Sequence, residues 1–185
     1  MNVLLTSCGL ETPTITDAFL LLLPVEPTQV RALFVTAAAN YPDAIEVLPK
    51  CLNDLLKCGI PRENITVSDL YDPVEGPLSA RWEVIYLCGG DTRCLLRRMR
   101  ERGFREQLLA FICGGGVVLG VSAGSVAFAG NYPDNLGLLA CPLDVHCPDD
   151  LREQPGAYPP ARRERIRLGN RQMIRPGADA LLVME

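Results

Sequence analysis

The chain is poor in the residues that many function classes require. Its 185 residues hold one histidine, His146, so a histidine-rich metal site cannot be built. The eight cysteines include no Cys-x-x-Cys pair, which removes the usual thiolate spacing for zinc. Neither Gly-x-Gly-x-x-Gly nor Gly-x-x-x-x-Gly-Lys occurs, so no dinucleotide or triphosphate cradle is indicated and no cofactor or metal is expected. Long apolar runs are missing as well. Phe19–Leu23 is stopped by Pro24, far short of the roughly 20 residues that cross a bilayer. Met1 to Ser7 carries no basic segment, long apolar stretch or cleavage site of an export signal. The expectation is a cytoplasmic protein with reduced, mostly buried thiols.

A net charge of −4 and no Lys/Arg run interleaved with aromatics argue against nucleic acid as a partner. The arginines between Arg93 and Arg105 are interrupted by Glu101 and read as a solvated helix face. Hydrophobic residues make up 48% of the chain, enough to fill the core of one domain spanning 1–185. The partner expected is a small substrate, with no membrane, and the chain is expected as a monomer or homodimer.

Short β-branched runs alternate with longer helical ones, which predicts an α/β fold with a mostly parallel sheet between layers of helices. Strands are expected at Val3–Thr6, Arg31–Ala37, Ile65–Leu70, Val84–Leu87 and Val117 onward. Helices are expected at Thr14–Leu22 (capped by Thr14 or Thr16), Asp43–Lys57, Cys94–Arg102 and Phe104–Cys113. After Phe128 the composition becomes turn-rich, and only Arg162–Leu168 and Ala180–Met184 look regular. In open α/β sheets the loops beyond the strand ends make the site.

One such end carries the main chemical signal. The apolar run Val117-Val118-Leu119 leads into Gly120-Val121-Ser122-Ala123-Gly124, a strand followed by Gly-x-Ser-x-Gly and then helix-forming residues. That context describes a nucleophile elbow, in which a tight bend pushes the serine hydroxyl out at its tip. The plainer reading is a glycine-rich turn whose serine caps a helix. If Ser122 is the nucleophile, His146 is the base by elimination, since no other imidazole exists. It follows Leu143-Asp144-Val145, an alternating segment that would present the ring at a strand end; otherwise it is a loop residue. The backbone N–H groups of Ala123 and Gly90 are candidate oxyanion donors. Gly89-Gly90-Asp91-Thr92 also reads as a plain turn with Asp91 as helix cap. An acid to orient the imidazole is open among Asp134, Asp144, Asp149, Asp150 and Asp179. Cys141 and Cys147 flank the histidine and would serve if the nucleophile were a thiolate, as in an amidotransferase-like amidase.

Together these segments resemble the α-aspartyl dipeptidase (dipeptidase E) and cyanophycinase family of serine peptidases. Leu5-Thr6-Ser7-Cys8-Gly9-Leu10 is similar to the family's opening strand and loop, and Gly89-Gly90-Asp91-Thr92 to its Gly-Gly-Asn-Thr turn. Gly120–Ser125 is similar to its elbow. Asp134–Leu138 through His146 resembles the stretch that delivers its histidine, and Ala161–Ile166 a following helix. The resemblance implies a three-layer α/β/α sandwich like the class I glutamine amidotransferase domain. It also implies hydrolysis of short peptides, namely dipeptides with an N-terminal aspartate or related residue, through an acyl-enzyme on Ser122 with His146 as base. Arg162 would read the aspartate side chain through a guanidinium–carboxylate fork. Asp91 stands where the family has asparagine, and its charge would suit a substrate amine. A catalytically weak peptide-binding or sensor protein of the same fold is the alternative of another class.

Overall fold

Four short aliphatic strands are buried along their whole length: β1 (Val3–Thr6), β2 (Ala32–Val35), β4 (Val84–Leu87) and β5 (Val117–Val121). A strand apolar on both faces must be covered on both, which is the condition of a parallel sheet between helical layers. The computed structural model, which describes residues 1–162 and 164–185, has that arrangement. β3 (Ile65–Ser68) is one edge, and the parallel order runs β3-β2-β4-β5-β1. Beyond β1 the sheet turns antiparallel, through β9 (Met173–Pro176), β10 (Leu181–Met184) and β7 (Gly156–Tyr158), to make eight strands. A separate two-stranded sheet joins β6 (Leu143–Asp144) to β8 (Ile166–Arg167).

Alternate strand residues feed two cores. Leu4, Phe34, Tyr86 and Leu119 face Ile15 and Phe19 of α1 (Pro13–Leu20) and Leu55 of α3 (Leu48–Lys57). Leu5, Leu33, Leu87 and Val118 face Leu95 and Met99 of α4 (Thr92–Glu101) and Leu108 of α5 (Phe104–Cys113). The result is the expected three-layer α/β/α sandwich. Among the described residues no helix is long and apolar enough to cross a membrane.

Several boundaries differ from expectation for identifiable reasons. Thr12, not Thr14 or Thr16, caps α1, because Pro13 takes the first helical position and Thr12 Oγ1 accepts from Ile15 N–H at 3.2 Å. The single helix expected over Asp43–Lys57 is two: α2 (Pro42–Glu46) ends and α3 restarts at Leu48. Pro49 causes the break, since it has no N–H for the carbonyl four residues back and its ring crowds that carbonyl. α4 begins at Thr92, two residues earlier than expected, because Asp91 caps it.

The final third is more regular than its composition suggests. No helix forms over Ala161–Ile166. Ala161 and Arg162 lie in a turn, Arg163 is outside the described residues, and Ile166 is fully buried in β8. The strands β7 and β9 were not expected at all. Each is at most four residues long and gains its order from a neighbour in the sheet rather than from local periodicity.

This packing predicts a contrast between the last turn of α1 and the residue that follows it. Phe19→Ala should destabilise the protein by about 3–5 kcal/mol, whereas Leu21→Ala should stay within about 0.5 kcal/mol. Phe19 is fully buried and Leu21 is 83% exposed, and urea unfolding of the two variants checks the assignment of the first core.

Candidate active site

β5 ends against neighbours that leave no room for side chains. A Cβ on Gly124 would run into the carbonyl oxygen of Leu87, and one on Gly120 would lie 2.9 Å from the carbonyl oxygen of Gly124. The chain therefore turns sharply between them, into the short helix α6 (Ala123–Val126). Ser122, at the tip, has φ 51° and ψ −112°, a conformation that L-residues rarely adopt. Such strain costs on the order of 1–3 kcal/mol and persists only where surrounding contacts over-determine it. Here Ser122 N–H donates to the Thr6 carbonyl at 3.0 Å, and the buried Ser125 Oγ lies 2.8 and 2.7 Å from the carbonyl oxygens of Thr6 and Gly120. Ser125 is thus a brace inside the bend.

The bend aims the Ser122 hydroxyl at His146, whose Nε2 is 2.9 Å from Oγ. His146 is itself in the left-handed region, with φ 59°, and its N–H donates to Ser7 Oγ at 2.8 Å. On the far side of the ring, Nδ1 is 2.8 Å from Oδ1 of Asn170. An amide oxygen only accepts, so Nδ1 carries the proton and Nε2 presents its lone pair to the serine hydroxyl. That is the tautomer a general base needs.

Asn170 occupies the place for which an aspartate was sought. Asp134 lies 3.8 Å from Arg100 Nη1, Asp144 accepts from Arg165 Nη1 at 2.5 Å, and Asp149 lies 3.0 Å from Arg152 Nε. Asp179 is exposed in the turn from β9 to β10, at the end of β9 remote from Thr6, which pairs with Met173 at the near end. The group there is an amide rather than a carboxylate, and it belongs to Gly169-Asn170-Arg171, a turn just ahead of β9, a strand that local pattern does not signal. A Gly-Asn turn opening a strand beside β1 is the signal that would have found it. Buried Gln172 holds this turn: its Oε1 accepts from Gly169 N–H at 3.0 Å, its Nε2 donates to the Glu153 carbonyl at 2.8 Å, and its own carbonyl accepts from Ser7 N–H at 3.2 Å. Ser7 and Gln172 thereby tie both neighbours of the imidazole to the end of β1.

Gly89 and Gly90 line the same cavity as Ser122 and His146. Gly90 has φ +132°, and a Cβ there would strike the Ala38 carbonyl. Its N–H has no acceptor among the described residues, and the N–H of Ala123, first in α6, has none within its helix. Asp91 faces elsewhere: its Oδ1 accepts from the N–H groups of Arg93 and Cys94 at 2.8 and 3.2 Å, the plain capping role. Arg162 is also removed from the cavity. It donates to Glu153 Oε1 at 2.9 Å and to the Arg165 carbonyl at 3.3 Å, with its guanidinium 4.8 Å from the Tyr158 ring centroid. Cys141 is fully buried, Cys147 lies outside the cavity, and burial pushes both thiols up, away from thiolate. Among the described residues no group of three or more His, Cys, Asp and Glu could hold a metal ion.

A serine on a strained strand-to-helix bend, in contact with an imidazole oriented from behind, is the constellation of a serine hydrolase. The chain belongs to peptidase family S51, whose profile matches residues 3–135, and is a serine-type peptidase. That match includes Ser122 and stops short of His146 and Asn170. A candidate peptidase E protein from Listeria monocytogenes EGD-e is similar with a TM-score of 0.73 at 16% identity, over 100% of this chain and 98% of that one. A peptidase from an acI-B1 Actinobacterium is similar with a TM-score of 0.62 at 16% identity, over 98% of this chain and 86% of that one. These likenesses establish the class I glutamine amidotransferase-like fold. Comparison with curated proteins returns no match.

If Asn170 orients the imidazole, Asn170→Ala should slow fluorophosphonate labelling of Ser122 by at least about tenfold. Asn170→Asp should restore most of the rate, while Asp134→Asn and Asp179→Asn should leave it unchanged. Equal labelling in Asn170→Ala and the unaltered protein would remove Asn170 from the site.

Proposed function

We propose that the protein is an exopeptidase of short peptides that works through an acyl-enzyme on Ser122, with His146 as general base. The observation that carries this reading is the 2.9 Å approach of Ser122 Oγ to His146 Nε2 at a residue held in strained backbone geometry. As Oγ attacks the scissile carbonyl, its proton passes to Nε2 and the carbonyl oxygen becomes an oxyanion. The N–H groups of Gly90 and Ala123 are the donors assigned to it. His146 then gives the proton to the leaving amine as the C–N bond breaks. Water repeats the sequence, losing a proton to Nε2 and releasing the acyl group from Ser122. Asn170 keeps the ring in register throughout but adds no charge behind it.

Substrate size follows from the cavity, whose volume of about 250 Å³ is bounded by α2, α3 and the elbow. That lies below the range of drug-sized ligand sites and suits one or two residues of a peptide. Selectivity for an N-terminal aspartate would need a cation near the side-chain carboxylate. Arg162 is engaged by Glu153, and the lining cation, Lys50, is paired with Glu11. The reading supported here is therefore short-peptide hydrolysis without Arg162 as selector. A cysteine nucleophile has less support, because serine stands at the elbow tip and burial raises the flanking thiols.

Ser122→Ala should abolish hydrolysis in a dipeptide panel while the protein stays folded by circular dichroism; full turnover in that variant would dismiss the mechanism. His146→Ala should lower kcat by roughly 10²–10⁴-fold. Arg162→Ala should leave the ratio of rates on Asp-Ala and Ala-Ala unchanged and instead reduce stability by about 1–3 kcal/mol, since it strands the part-buried Glu153. A selective loss on Asp-Ala would return Arg162 to the substrate site.

A further inference from the structure

The α3 wall of the cavity holds a carboxylate that forms no ion pair among the described residues. Asp54 lies on α3 and lines the cavity together with Ser122 and His146. One of its oxygens is fully occupied: Oδ2 accepts the O–H of fully buried Tyr86 at 2.8 Å and the N–H of Leu10 at 3.3 Å. A Cβ on Gly9 would collide with that oxygen, so the loop after β1 approaches the carboxylate as closely as a backbone can. Oδ1 has no hydrogen-bond partner among the described residues. Burial pushes the Asp54 carboxyl above the usual carboxylate range, while the Tyr86 and Leu10 donors pull it down and Lys50 contributes least. Lys50 is committed to Glu11.

The remaining charged residue lining the cavity is Asp43, a second carboxylate. The two carboxylates that line the cavity with Ser122 are thus without a cation of their own, and the part-buried one, Asp54, is held by two donors on one oxygen. A part-buried charge without a partner is costly, and a site that keeps one gains from the counter-ion that completes the pair.

We infer that this cavity binds an alkylammonium group of the substrate, with Asp54 Oδ1 as its counter-charge. Two sources offer that chemistry, the free α-amine of a peptide and the side chain of a basic residue. Asp54 is then the specificity-determining residue, and an acidic residue in this cavity is disfavoured. The inference rests on Ser122 and His146 being the reacting pair.

The test is protection of Ser122 from fluorophosphonate labelling, which needs no knowledge of the natural substrate. L-Alaninamide supplies an α-ammonium, N-acetyl-L-lysinamide an ε-ammonium, and N-acetyl-L-alaninamide neither. At least one ammonium compound should slow labelling where the neutral amide does not, and which one does so identifies the source. In Asp54→Asn, whose amide oxygen can still accept from Tyr86 and Leu10, the half-protecting concentration should rise by roughly tenfold or more. Labelling that neither ammonium compound slows beyond the neutral amide overturns the proposal, as does protection that survives in Asp54→Asn. If that variant does not fold, the contrast between charged and neutral amides on the unaltered protein decides. Absence of any labelling of Ser122 overturns the serine mechanism and this inference with it, so the two failures are told apart.

Discussion

Everything about the site hangs on a backbone bend that an ordinary chain would relax. Ser122 keeps φ 51° and ψ −112° because β5 is locked on both sides before it reaches the bend. β4 and β1 flank it in parallel register, Thr6 holds the serine N–H, and the glycines on either side accept contacts that no side chain could. The two apolar cores behind the sheet supply the stability against which on the order of 1–3 kcal/mol of local strain is tolerated. A serine on a flexible loop would spend most of its time away from the imidazole; this bend fixes the Ser122 backbone where its hydroxyl reaches His146.

The antiparallel half of the molecule meets that bend at the end of β1. β9 pairs with β1 at Thr6 and Leu5, so the turn that precedes β9 is delivered to the same edge from which the serine projects. Asn170 sits in that turn. His146 arrives from another direction, after β6, and Ser7 catches its backbone while Gln172 secures Ser7 and the turn together. Three segments far apart along the chain are thus fixed to one strand end by a short chain of hydrogen bonds. Buried polar networks of this kind are stabilising only when every member is satisfied, and Gln172 is satisfied on both side-chain atoms.

Charge is distributed unevenly around Ser122 and His146. The group behind the imidazole is a neutral amide, which orients without compensating charge. The carboxylates stand instead along the cavity, at Asp43 and Asp54.

Much of this was legible in the residues alone. Short apolar runs rich in β-branched residues and bounded by turn residues, such as Val84–Leu87 and Val117–Leu119, read as strands of a covered sheet, and Gly-x-Ser-x-Gly after such a run admits few geometries. A single histidine offered one candidate base, and the structure brings it to Ser122. What the chain could not declare were contacts between distant segments: Asn170 behind the ring, Glu153 holding Arg162, Glu11 holding Lys50, and short strands such as β9 that exist only because a neighbour pairs with them. Local pattern reports what a segment buries. Which polar groups meet is decided by the sheet order and the turns, and a side chain's chemistry follows from the partner it is given.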